Sequence, residues 1–71
     1  MKGIRKFTTE MEFRRVRANL NSLKGALATR RERDDDKQSF VELENRCDEA
    51  IEAVDAALEY LGYVEAEEDW N

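Results

Sequence analysis

One stretch constrains the fold more than any other: residues 39–63, SFVELENRCDEAIEAVDAALEYLGY. Phe40, Cys47, Ile51, Val54, Leu58 and Leu61 recur mostly three and four residues apart, with Leu43 in the same series. That spacing places them on one stripe of a helix. Both ends carry stop signals. Ser39 and Glu42 have capping-box spacing, in which each side chain bonds the other residue's backbone N–H. Gly62 stands where a left-handed residue closes a Schellman turn, an arrangement that brings Tyr63 against Leu58.

A second pattern precedes it. Thr9 and Glu12 repeat the capping spacing, and Phe13, Val16, Leu20, Leu23 and Leu27 step 3-4-3-4, a heptad seam. This predicts a helix from about Thr9 to Arg31–Arg33. Asp34, Asp35 and Asp36 follow; three adjacent acids disfavour a helix interior but suit a turn or the start of a helix. The phase also breaks here. The first seam projects its next position onto Val41, the second onto Glu44, and a turn explains the slip more simply than a stammer in one long helix.

The expected fold is therefore all-α: an antiparallel helical hairpin with helices at about 9–33 and 39–61. Residues 1–8 read as a basic arm and 64–71 as an acidic flexible tail. Folding back about position 37 pairs Leu27 with Cys47, Leu23 with Ile51, Leu20 with Val54, Val16 with Leu58 and Phe13 with Leu61. The same register sets Arg17 near Asp55, Lys24 near Asp48 and Arg30 near Glu44. A chain of 71 residues has little core to offset its entropy. A row of Ala50, Ala53 and Ala57 beside the second stripe leaves room for another helix. A homodimer forming a four-helix bundle is the expected assembly.

Charge is divided along the chain. Residues 1–33 hold ten Lys/Arg against three Glu, whereas residues 34–71 hold fourteen Asp/Glu against two cations. Opposed halves either neutralise each other inside a fold or face two different partners.

Catalytic chemistry finds few tools. There is no His, which removes the usual base near neutral pH and the commonest transition-metal ligand. The lone Cys47 lies in an apolar stripe, a packing position rather than a nucleophile's. No Gly-rich phosphate loop, nucleophile elbow or Cys pair occurs. The acids lack Glu-x-x-His pairs, and the Asp34–Asp36 run lacks the spaced ligands of a calcium loop. The chain is expected to be no enzyme and to hold no cofactor, metal or small-molecule substrate. No apolar run approaches a membrane span, so a cytoplasmic protein without membrane contact is expected.

What remains is binding. Glu42, Asp48, Glu49, Glu52, Asp55 and Glu59 form an outward anionic face suited to a basic groove of another protein, including one that otherwise holds nucleic acid. The expected function is a small protein-binding regulator or inhibitor, in the style of bacterial or phage accessory proteins. Its expected contacts are Glu49, Glu52, Glu59 and Trp70. The alternative is a nucleic-acid-binding regulator that touches phosphates through the basic half, with Arg14 and Arg15 off the core stripe.

Overall fold

The computed structural model describes residues 5–65. They form two helices, α1 (Lys6–Arg31) and α2 (Lys37–Leu61), packed against each other as an antiparallel hairpin. The break falls where the acids and the phase slip put it. Neither helix is long and apolar enough to cross a membrane.

The turn is built by side chains, without Gly or Pro. After Arg31 the backbone tightens, with the N–H groups of Glu32, Arg33 and Asp34 donating to carbonyls three residues back. The Lys37 ammonium then donates to the carbonyls of Arg31 at 2.9 Å and Asp34 at 3.1 Å. A cation at this point satisfies acceptors a helix end leaves open and opposes the negative pole of α1. Asp34 Oδ1 accepts from the Asp36 N–H at 2.9 Å, which fixes the residue that begins α2.

Asp36 is the N-cap of α2, not Ser39. Its carboxylate accepts from the Ser39 N–H at 3.1 Å and from the Ser39 hydroxyl at 2.7 Å. A carboxylate here is a charged acceptor facing the positive end of the helix, so it outcompetes a hydroxyl three residues later. The Ser39–Glu42 box is thus not the helix start. The Thr9–Glu12 box fails similarly: α1 begins a turn earlier, at Lys6, with no side-chain cap, and the Thr9 N–H already donates to the Arg5 carbonyl. That extra turn brings Lys6 Nζ to the Gly62 carbonyl at 3.2 Å, joining the start of α1 to the end of α2.

The Schellman closure is not formed. Gly62 has φ −62° and ψ −22°, ordinary right-handed values, and Tyr63 is 83% exposed rather than folded onto Leu58. The chain leaves α2 through tightened bonds from the Gly62, Tyr63 and Val64 N–H groups to Glu59, Tyr60 and Leu61.

The core is thin. Only Cys47 and Leu61 are buried among the described residues, and α1 has no buried residue. Cys47 is a free thiol inside the seam, the packing role its position implies. Phe13, Leu20, Leu27, Ile51, Val54 and Leu58 are half-buried. Val16, Leu23 and Leu43 belong to the same stripes yet stay 46%, 48% and 48% exposed. Two cylinders touch along a line, so residues at the edges of each stripe are left uncovered.

Candidate functional site: two unlike faces of the hairpin

The two broad sides of the hairpin differ. One is crossed by ion pairs: Arg17–Asp55 at 3.1 Å, Lys24 with Asp48, and Arg31–Glu44 at 2.9 Å. The first two are the pairs that the register requires. Hydrogen bonding to Asp48 raises the Lys24 pKa above the ordinary lysine value. The third differs from expectation, because Arg31 rather than Arg30 meets Glu44. Arg17, Lys24 and Arg31 are successive heptad positions on one edge of α1, and that continuation carries the signal the apolar layers misassign. Arg30 instead lies over the Phe40 ring, 5.7 Å from its centroid. The Arg31–Glu44 contact is close, but its Nε and Oε2 lie outside hydrogen-bond geometry and are covered from water.

Among the described residues, the opposite side has no such ladder. With about 100° between successive helical residues, Val16 and Leu23 fall on the α1 edge away from Arg17 and Lys24. Leu43, Ala50 and Ala57 fall on the matching edge of α2, again a heptad apart. An open depression of about 250 Å³ lined by Thr9, Glu12, Phe13 and Val16 lies on this part of α1. One side is therefore closed by charge, and the other exposes methyl groups.

The outer surfaces hold the expected contact residues. Glu49, Glu52 and Glu59 are all exposed on α2. Glu49 accepts from Arg46 at 3.2 Å, and Arg46 also pairs with Glu42. Asp48 and Asp55 of the anionic face are turned to α1, whereas Glu52 and Glu59 form no ion pair among the described residues. Trp70 lies outside the described residues. On α1, Arg14 is not free as its position off the stripe suggested: it pairs with Glu10 at 2.8 Å, one turn back. Arg15 is exposed.

Three cations of the basic half thus meet acids of the other half within the fold. Arg14, Arg17, Lys24 and Arg31 are held by acids, Arg30 by an aromatic ring, and Lys6 by a carbonyl. Among the described residues, no group of three or more His, Cys, Asp or Glu is placed to hold a metal ion. Comparison with known protein families, with curated proteins and with solved structures finds no match.

Proposed function

We propose that this chain is a non-enzymatic protein-binding regulator that works as a self-associated helical hairpin. The observation that carries the reading is the division of its surface. Val16, Leu23 and Leu43, each about half exposed, occupy the side without ion pairs, where a second copy covers them and completes a four-helix bundle. Once assembled, the outward surface of α2 offers Glu52 and Glu59, acids not consumed within the fold, to a partner with a cationic groove. Six of the seven α1 cations, Arg14 among them, have internal partners, which favours this reading over phosphate binding; Arg15 forms no ion pair among the described residues.

Sedimentation equilibrium of the full chain tests the assembly. The expected mass is twice 8.3 kDa at micromolar concentration, falling to the single-chain mass for Leu23→Asp. A wild type that stays monomeric throughout would sink the reading. For the outward face, lysate capture is compared between wild type and a Glu52→Lys/Glu59→Lys variant, with and without nuclease. The expected result is a stoichiometric protein retained after nuclease and lost with the charge reversal. Capture that vanishes with nuclease instead moves the weight to Arg14 and Arg15.

A further inference from the structure

Resting on that self-association, we infer the arrangement of the second copy: α1 of one protomer lies against α2 of the other, about a twofold axis parallel to the helices, with both turns at the same end. Two hairpins that stack through one face have only two twofold choices. An axis along the helices sets α1 over the partner's α2. An axis across them sets α1 over the partner's α1 and places the turns at opposite ends.

Charge separates the two. α1 carries seven Lys/Arg and two Glu, a net of +5, and α2 carries seven Asp/Glu and two Lys/Arg, a net of −5. The parallel axis gives every helix two neighbours of opposite sign and leaves like-charged helices on the diagonals. The crossing axis sets +5 directly against +5, a juxtaposition that opposes association. The intramolecular ladder of Arg17–Asp55, Lys24–Asp48 and Arg31–Glu44 already shows how these two helices accommodate each other.

Size gives a second, separate reason. Rotation about an axis along the helices preserves height, so the intramolecular register carries across the interface. Leu23 then meets the partner's Ala50, and Val16 meets the partner's Ala57. Val16 and Leu23 each face an alanine, which lets these layers pack at ordinary separations of about 8–10 Å. Under the crossing axis the Val16/Leu23 row faces itself and the alanine row faces itself. One helix pair is then held apart while the other collapses together.

The test is an intermolecular distance measured by pulsed electron spin resonance on the full chain, spin-labelled at Asp35→Cys in the turn with Cys47→Ala. The inferred arrangement gives about 15–30 Å between labels, the diagonal of a four-helix bundle end. A distance on the order of 40 Å, the length of a 26-residue helix, would overturn the arrangement while leaving self-association standing. Absence of an intermolecular signal, together with a single-chain mass, would overturn both. Gln38→Cys with Cys47 left in place, where burial shields the thiol from the label, repeats the measurement should the Asp35 or Cys47 substitution reduce helix content.

Discussion

At the scale of residues, the turn owes its shape to a few charged groups whose removal has distinct signatures. Asp36 caps α2 through the Ser39 N–H and hydroxyl, and these bonds hold its carboxyl below the usual carboxylate range. A carboxyl with a lowered folded pKa contributes stability that is present above its unfolded value, about 3.9, and lost as pH falls through the folded value. Asp36→Ala should therefore lower the urea unfolding midpoint at pH 7, and the gap to wild type should narrow as pH falls below 4. A gap that stays constant with pH would show that the cap's charge is immaterial. Lys24 has the opposite sign. Its raised pKa means that the Asp48 pair contributes below the ordinary lysine value and loses that contribution as pH rises through the folded one. Arg31 and Glu44 are unequal partners, since the Glu44 side chain is 14% exposed and that of Arg31 38%. Arg31→Ala strands a covered carboxylate and should cost about 1–3 kcal/mol, whereas Glu44→Gln lets the guanidinium turn to water and should cost less. Chemical unfolding of both variants checks the order.

At the scale of elements, the hairpin was legible in the spacing of apolar residues, but its boundaries were not. The stripes of Phe13–Leu27 and Phe40–Leu61, the acidic break and the Arg17–Asp55 and Lys24–Asp48 register follow from periodicity, which the packed helices must obey. The caps follow from competition, which a local pattern does not reveal. Asp36 prevails over Ser39 because Asp34 orients it and Lys37 draws the end of α1 toward it. The extra turn of α1 before the Thr9 box carries Lys6, whose ammonium reaches a carbonyl 56 residues away, a contact no local pattern contains. Of the proposed contacts, exposure at Glu52 and Glu59 was readable from their helical positions. The Arg14–Glu10 and Arg46–Glu49 pairs are the same arithmetic, three and four residues apart, applied to surface charges. Gly25 offers an element-level test. A Cβ there would meet nothing within 4 Å, and the residue lies in the interior of α1. Gly25→Ala should stabilise the protein by about 0.5–1 kcal/mol through helix propensity alone. A loss of stability in a thermal melt would mean that another surface approaches this outer face of α1.

At the scale of the whole molecule, a fold with two buried residues among those described is not well insulated from its own concentration. When association supplies part of the core, the melting temperature should rise with protein concentration, whereas Leu23→Asp should melt at a lower temperature that does not move with dilution. Differential scanning calorimetry over a hundredfold concentration range reads both. The bond from Lys6 to the Gly62 carbonyl has a consequence for how this chain can be rewired. It sets the segment entering α1 beside the segment leaving α2, so a few residues of linker are enough to join them. The turn at residues 32–35 then becomes a natural place to open the ring, at the exposed Glu32–Arg33 step. A circular permutant cut there should keep both helices in register, with the order of the halves reversed and the acidic helix read first.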